Sequence, residues 1–207
     1  AAAEAAPSTG RRRRGEEGGG EVAAAKASEV SVKMSKLVLN SEGQHLPGKP
    51  KEKVGSVVVE VDMLDSEKDP FRTGQLKVGR GGAVSVNVGR EYDAGERSKL
   101  GKAFAKALES PSEEDSEVQF VVYGQAKDEK EVELGVARCS LERLVNKGKD
   151  HDGVLEVMLN GAVVGELTCS ISAVAALARA ATLPDAVQTA ADTVVASGAS
   201  AQEIGKS

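Results

Sequence analysis

Aromatic residues are scarce in this chain, and tryptophan is absent. Only 2% of the 207 residues are aromatic, although 40% are hydrophobic. A core must therefore be built from Val, Leu and Ala, and few of the aromatic anchors that dominate tight interfaces are available. The formal net charge of -5 gives no general reason to expect nucleic acid as a partner. The longest apolar runs fall far short of a membrane span.

Cysteine is also rare, with two residues in the whole chain. Cys139 and Cys169 lie in segments predicted as strands and share alternation parity with apolar neighbours. We interpret them as buried small hydrophobic residues, because free cysteine is among the most buried residue types. A disulfide or metal site would need a further Cys or His cluster that the sequence lacks, which favours a reduced, intracellular protein.

Residues for catalysis are equally few. The two histidines, His45 and His151, lie in turn-like, lysine-rich segments, and neither HExxH nor P-loop spacing occurs. The glycine-rich segment 79–82 lacks the following helix and lysine of a phosphate cradle, so we interpret it as a hairpin turn. The sequence therefore predicts a protein that is not an enzyme and holds no cofactor.

Composition divides the chain into three parts. Residues 1–27 are rich in Ala, Gly and Arg, and residues 183–207 are rich in Ala, Ser and Gly, so both are predicted to be disordered. The run Arg11–Arg14 could contact acidic lipid, nucleic acid or an importin, although a solvated linker is the favoured interpretation. Residues 28–182 are predicted to form one folded unit. Because the chain opens with Ala1, we expect a piece of a longer polypeptide.

Alternating apolar residues predict short strands in the first half of this unit. Val30, Val32 and Met34 alternate, whereas Leu37 and Leu39 alternate on the opposite parity, which predicts a β-bulge near residues 35–36. Further strands are predicted over 57–63, 76–78 and 84–88, with a loop over 40–50.

One amphipathic helix is predicted within residues 94–108. Leu100, Phe104 and Leu108 recur every four residues and form an apolar stripe, opposite a lysine face. An acidic run over 113–117 follows it.

Four consecutive antiparallel strands are predicted in the second half, over 118–123, 134–140, 154–159 and 163–171. A single helical turn is expected over 141–145, and a short C-terminal helix is expected to use Val174, Leu177, Ala178 and Ala181. The total of eight strands without βαβ alternation predicts an all-β fold, an eight-stranded antiparallel sandwich with one inserted helix and one short C-terminal helix.

Strand 118–123, the charged loop after it and the segment 134–144 together resemble the sixth and seventh strands of a C2 domain. A glycine after a charged loop is followed by small and apolar residues at alternate positions and then by a Leu-x-x-Leu turn. This pattern is carried by Gly135, Ala137, Cys139, Leu141 and Leu144. The order of elements over residues 29–182 is similar to the C-terminal domain of the RPGR-interacting protein and fantom family.

This resemblance implies a location and a partner. In that family the domain belongs to scaffolds of the ciliary transition zone and basal body, and in some members it binds the β-propeller of the retinitis pigmentosa GTPase regulator. The expectation is therefore a cytoplasmic, ciliary protein with an RPGR-like β-propeller as partner and coiled coil elsewhere in a longer chain. The Ala/Gly bias of the tails fits a distant member from a GC-rich genome, such as a green alga.

Calcium binding is not expected. Ca²⁺ needs several converging oxygen ligands, and calcium-binding C2 domains carry an Asp-x-Asp pair directly after the sixth strand. Here Gly124 and Ala126 stand in that segment. Asp62, Asp65 and Asp69 could supply ligands from the loop after the second strand, but alone they make half a cage.

Basic residues mark a candidate interaction surface. One candidate surface places Lys33, Lys36, Lys77 and Arg80 together on one sheet face, where anionic lipid could bind. Acidic neighbours such as Glu60 and Asp62 oppose this, and an ordinary solvated face is the favoured interpretation. The remaining members lie on the predicted helix: Lys99, Lys102 and Lys106.

The sequence thus predicts a non-enzymatic, calcium-independent C2-type module that binds protein within a ciliary scaffold. Two alternatives stay open. One is a peripheral membrane C2 domain that binds anionic phospholipid, and the other is an axonemal structural protein with a C2-like sandwich.

Overall fold

A computed structural model describes residues 28–66, 70–110, 112–127 and 130–182. The segments predicted to be disordered, 1–27 and 183–207, lie outside these ranges. Three helices occur in the described ranges: α1 (Lys99–Glu109), α2 (Leu141–Lys147) and α3 (Val174–Thr182). The strands are β1 (Glu29–Leu39), β2 (His45–Leu46), β3 (Lys49–Lys53), β4 (Ser56–Met63), β5 (Phe71–Arg72), β6 (Leu76–Lys77), β7 (Ala83–Asp93), β8 (Glu117–Gln125), β9 (Val132–Ser140), β10 (His151–Leu159) and β11 (Ala162–Ser172).

The strands form a curled antiparallel sheet that closes over one core. Hydrogen-bonded neighbours follow the order β5-β4-β8-β9-β10-β11-β1-β7, and β6 also pairs with β4. Between β9 and β10 the register contains a single pair, Val136 with Met158, so the sheet bends over at this point. Strands β4, β8 and β9 make one layer, and β10, β11, β1 and β7 make the other. The predicted all-β antiparallel sandwich is confirmed.

Valine and leucine fill the space between the layers, as the composition predicted. Buried side chains from both layers belong to one continuous cluster, which includes Val59, Phe120, Leu134, Leu167 and Ile171. Each of them is at most 1% exposed, so these side chains are fully buried although the chain lacks tryptophan. The two cysteines are free and buried in the same cluster, as predicted.

The predicted bulge in β1 is present. Pairing with both β11 and β7 shifts register between Met34 and Lys36, which leaves Ser35 as the extra residue against β11. The shift lets Met34 and Leu37 both face the core although they are three residues apart. A change of alternation parity therefore located the irregularity correctly.

Gly135 lies where β9 approaches the second layer. Its φ is 155°, a value that L side chains rarely adopt, and a Cβ there would lie 2.7 Å from the Met158 carbonyl oxygen. The β8–β9 register also shifts beside it, because Val122 pairs with Gly135 whereas Tyr123 pairs with Glu133. The glycine of the sequence pattern is therefore needed for close contact between backbones.

Several predicted details are wrong. Segment 79–82 is not a hairpin turn, because β6 pairs with β4 whereas β7 pairs with β1, so the segment connects the two layers. The predicted loop over 40–50 contains β2 and the start of β3, a hairpin whose second strand has no apolar residue. Strand β5 has two residues and no alternation to detect. The described ranges therefore hold eleven strands rather than eight.

The helices differ from prediction mainly at their ends. Helix α1 begins at Lys99 rather than near Ala94, because the Ser98 Oγ accepts a hydrogen bond from the Gly101 N–H at 2.9 Å and caps the first turn. Helix α2 is longer than one turn and ends at Lys147, because Gly148 after it adopts a left-handed backbone conformation. In α3 the residues that pack inward are Ala176, Leu177 and Ala180, whereas Ala178 and Ala181 are exposed.

All three helices lie at one end of the sandwich. Helix α3 contacts both α1 and α2, and the three helices follow the strand ends Asp93, Ser140 and Ser172. We call this end, formed by α1, α2, α3 and segment 64–66, the helical pole. The opposite end, formed by segments 40–55 and 73–82, is the loop pole.

Candidate interaction surfaces

The predicted basic surface is divided among three places. Lys33 and Lys36 lie on the outer face of β1, where Lys33 pairs with Ser170 and Gly89. Lys77 belongs to β6 in the other layer, and Arg80 belongs to the turn that connects the layers. The prediction that these four gather on one sheet face is therefore wrong, because β1 and β6 belong to different layers. All four side chains are exposed.

The remaining predicted cations lie on α1. Lys99, Lys102 and Lys106 are exposed, while Leu100 and Phe104 on the same helix are buried, so the predicted amphipathic division is confirmed. This lysine face is at the helical pole, whereas Lys77 and Arg80 are at the loop pole. The structure thus does not bring the seven predicted residues together.

A basic group that sequence reasoning missed lies at the loop pole. Lys49, Lys51 and Lys53 on β3 are exposed. Lys77 lies at the same pole, because β6 pairs with the start of β4 and the Val78 N–H donates to the carbonyl of Gly55, which lies between β3 and β4, at 3.0 Å. Alternation analysis overlooked these lysines because β3 carries no apolar residue.

The carboxylates proposed as half a calcium cage lie at the wrong end for that role. Strand β4 is antiparallel to β8, with Ser56 opposite Gln125 and Met63 opposite Val118. Asp62 and Asp65 are therefore at the helical pole, while the segment after β8 is at the loop pole. The Asp62 carboxylate accepts a hydrogen bond from the Asp65 N–H at 2.9 Å. Asp69 lies outside the described residues, among which no group of three or more His, Cys, Asp or Glu could hold a metal.

An acidic cleft of about 700 Å³ opens at the helical pole. Of the α1 lysines, Lys106 lines it. Its other charged lining residues are carboxylates: Asp62, Asp65, Glu109, Glu114, Asp115 and Glu117. The acidic run predicted after the helix therefore faces the end of β4 as well as the helix itself. The fold, rather than sequence proximity, brings these charges together.

A smaller and more apolar pocket of about 450 Å³ lies beside the β2–β3 hairpin. Leu46, Pro47 and Pro50 line it from the hairpin side, and Leu134 and Val164 line it from the sheet. His45 is at its margin, where its Nδ1 lies 3.0 Å from the Ser41 carbonyl oxygen. That contact fixes the ring against the backbone.

Arg72 is the centre of a cluster of side chains on the outer face of the first layer. The Arg72 guanidinium lies 3.2 Å from the Glu60 carboxylate, 2.5 Å from the Glu131 carboxylate and 5.1 Å from the centre of the Tyr123 ring. The hydrogen bond that Arg72 donates to the Glu131 carboxylate raises the pKa of Arg72, against an opposing effect of burial. Burial, with Glu60, raises the pKa of Tyr123. These contacts hold β5 to β4 and to the β8–β9 connection.

The two thiols are poor nucleophiles in the folded protein. Burial is the largest cause that raises the pKa of Cys139 to about 11 and that of Cys169 to about 12. A thiol with so high a pKa is almost wholly protonated near neutral pH, and the thiolate is the reactive species. Their chemistry is therefore that of core residues.

Comparisons with known proteins found similar solved structures at low sequence identity. No protein-family profile matches the sequence, and no curated protein matches it. Among solved structures, one of CC2D1B has 16% identity and a TM-score of 0.49, covering 70% of this chain and 54% of that chain. The C2A domain of plant extended synaptotagmin 1 has 13% identity and a TM-score of 0.45, covering 70% and 92% respectively.

A third similar structure holds the calcium-bound C2A and C2B domains of extended synaptotagmin 2, with 14% identity and a TM-score of 0.46. It covers 70% of this chain and 45% of that chain. The present chain thus spans about half the length of the CC2D1B chain, 54%. Membership of the RPGR-interacting protein family stays a prediction. In the described residues, every helix is too short or too polar to cross a bilayer.

Proposed function

We propose that this chain is a C2-type protein-interaction module that acts without calcium and without catalysis, as part of a ciliary scaffold. One observation carries the calcium-independent part. The carboxylates near the end of β4 lie at the opposite pole from the segment that follows β8, because Met63 pairs with Val118 and Ser56 with Gln125. They cannot converge on one ion across the length of these strands.

Charge supports binding of protein rather than chemistry on a small molecule. Lysines of α1 and the carboxylates of the acidic cleft are displayed side by side at the helical pole. Such opposed patches contribute more to partner choice and to association rate than to affinity. From the family resemblance we propose an RPGR-like β-propeller as the partner, and a cytoplasmic location at the transition zone or basal body.

Calorimetry tests the calcium part directly. Titration of Ca²⁺ into the chelator-treated chain should give no saturable heat in the micromolar range, whereas a known calcium-binding C2 domain in the same buffer should. A saturable isotherm for this chain would contradict the calcium-independent part of the proposal.

Titration with a purified RPGR-like β-propeller tests the partner. Binding should be saturable and unchanged by a calcium chelator, and its association rate should fall as salt is raised because exposed charges are screened. Absence of binding by the full chain would refute the proposed partner. Localisation of the tagged chain along the axoneme rather than at the transition zone would favour the axonemal alternative.

A peripheral membrane role is the second candidate, and the basic group at the loop pole favours it. Lys51, Lys53, Lys77 and Arg80 are all exposed at this pole. Each basic residue near an anionic leaflet contributes about 1 kcal/mol. Strong sedimentation with phosphoinositide vesicles that is lost in Lys77→Glu, and kept in the α1 variant Lys102→Glu, would promote this candidate over the first.

A further inference from the structure

Strand β10 has an open edge. It pairs with β11 from His151 to Leu159, but its register with β9 contains only Met158 opposite Val136. No other described element forms a backbone hydrogen bond with residues 151–157. In an antiparallel strand, alternate residues point their N–H and C=O groups to opposite sides. About half of the backbone groups in this stretch therefore face outward, which is the arrangement that accepts an added strand.

The side chains beside this edge have a definite pattern. Val154 is 53% exposed, more than the other exposed large hydrophobic residue, Val163. Asp152 and Glu156 are exposed two residues to either side of it, so all three lie on the same face. On β11, Glu166 lies directly opposite Glu156, which concentrates negative charge at one end of the pattern.

Backbone can approach this edge closely. A Cβ placed on Gly153 would meet only the His151 ring, at 3.8 Å. The inward-facing neighbours Leu155 and Val157 pack on the core and hold the strand in place. The edge is therefore a fixed template rather than a loose segment.

We propose that the β10 edge binds an extended basic peptide segment of another protein as an added β-strand. The bound segment has cationic side chains two residues to either side of a small apolar one, so that cations meet Asp152 and Glu156 while the apolar residue meets Val154. Directly opposed side chains of opposite charge stabilise a strand pair, and like charges destabilise it. This inference rests on the proposed function as a protein-interaction module and specifies the chemistry of its partner.

The same charges argue against a second copy of this chain as the occupant. An antiparallel pair of β10 strands centred on Val154 would place Asp152 opposite Glu156 of the other copy at both ends. Two carboxylate pairs would then repel each other across the new ladder. The occupant that complements these charges is therefore basic. The β10 edge of a second copy is acidic and does not complement them.

Fluorescence anisotropy with a labelled peptide tests the proposal on the full chain. The probe has the core Arg-Thr-Val-Thr-Arg, and a matched peptide replaces both arginines by glutamate. We expect saturable binding of the first and none of the second. Glu156→Lys should weaken binding roughly three- to tenfold, since one attractive cross-strand pair becomes repulsive. Glu91→Lys makes the same charge change at the exposed surface of β7, the other edge of this layer, and should leave binding unchanged.

Backbone methylation separates strand addition from a simple charge contact. Two versions of the basic peptide carry N-methyl groups on alternate amides, one on the even set and one on the odd set. Only the set that faces β10 should abolish binding, because it removes the donors of the new ladder. Hydrogen exchange of the β10 amides should slow when the unmethylated peptide binds.

Three results would overturn the proposal: the basic peptide does not bind, the two methylated peptides bind equally well, or Glu156→Lys and Glu91→Lys weaken peptide binding to the same extent. Dimerisation of the chain that Val154→Lys abolishes would also overturn it, because a second copy would then occupy the edge. A chain that binds the β-propeller but not the peptide refutes this inference alone. A chain that binds the peptide but not the β-propeller keeps the inference and refutes only the proposed partner.

Discussion

At the scale of single residues, backbone contacts decide which positions cannot change. Gly135 combines a positive φ with a carbonyl oxygen 2.7 Å from where a Cβ would lie, whereas Gly153 has open space beside it. Asp150 is a comparable case among polar residues. Its carboxylate accepts hydrogen bonds from the Ala173 and Val174 N–H groups at 2.9 Å and from the Ser172 hydroxyl at 2.7 Å, which ties the start of β10 to the start of α3.

Gly135→Ala should destabilise the chain by about 1 to 3 kcal/mol, because the new methyl group meets the Met158 carbonyl and forces the backbone apart. Urea unfolding followed by circular dichroism gives the free energy of unfolding. Gly153→Ala is the matched control and should change it by less than about 0.5 kcal/mol. Equal effects of the two substitutions would mean that the contact at residue 135 relaxes without cost.

Asp150→Ala should cost about 1 to 2 kcal/mol at neutral pH, since it removes the acceptor that caps α3. Burial acts to raise the pKa of Asp150, but the three hydrogen bonds outweigh it and lower the pKa. Its stabilisation is therefore present above the ordinary pKa of aspartate, about 3.9, and is lost as pH falls through the lower folded-state value.

The difference in unfolding free energy between wild type and Asp150→Ala should accordingly shrink as pH is lowered below about 4. Asp152→Ala, which removes an exposed carboxylate two residues away, is the matched control. A pH-independent difference for Asp150→Ala would mean that packing, rather than the ionised carboxylate, carries the effect.

At the scale of elements, the sequence pattern predicts strands that have alternating apolar side chains. It misses strands that form only because a neighbouring strand pairs with them. The four strands from β8 to β11 and the bulge in β1 follow from side-chain parity, because the side-chain period of a strand is two residues. Strands β3 and β5 carry no such signal, and they form because β2 and β4 offer them partners. The candidate surfaces were predicted least well. The acidic cleft joins β4 to α1, and the open edge of β10 depends on where β9 leaves it.

Helix α1 is positioned by a close approach of two glycines. A Cβ on Gly101 would lie 2.2 Å from the Gly95 carbonyl oxygen. Alanine raises helix propensity by about 1 kcal/mol relative to glycine, yet Gly101→Ala should destabilise the chain because the clash involves backbone. Thermal unfolding should show a lower midpoint temperature for Gly101→Ala. The exposed control Lys102→Ala should change the free energy of unfolding by no more than about 0.5 kcal/mol. A raised midpoint for Gly101→Ala would show that propensity outweighs the contact.

At the scale of the whole molecule, one core joins both layers. Cys139 lies on β9 in the first layer and Cys169 lies on β11 in the second, and both belong to the same buried cluster. The two layers are therefore expected to unfold together rather than one after the other.

Thiol labelling measures this cooperativity. Under native conditions near pH 8 an aromatic disulfide reagent should label both cysteines slowly and at the same rate, because each becomes accessible only on global opening and burial raises the pKa of both thiols. In strong denaturant both should react at once. Faster labelling of one cysteine, resolved in Cys139→Ser and Cys169→Ser variants, would mean that its layer opens alone.

The grouping of the helices has a consequence for how the domain is tethered. The Ala94 N–H donates to the Ser28 carbonyl at 2.7 Å, and α3 packs on α1, so the chain enters and leaves the domain at the same extremity. Strand β1 runs from there to the loop pole over 11 residues, a span of about 35 Å. The two points at which flanking sequence joins the domain, residues 28 and 182, therefore both lie a full strand length from the loop pole.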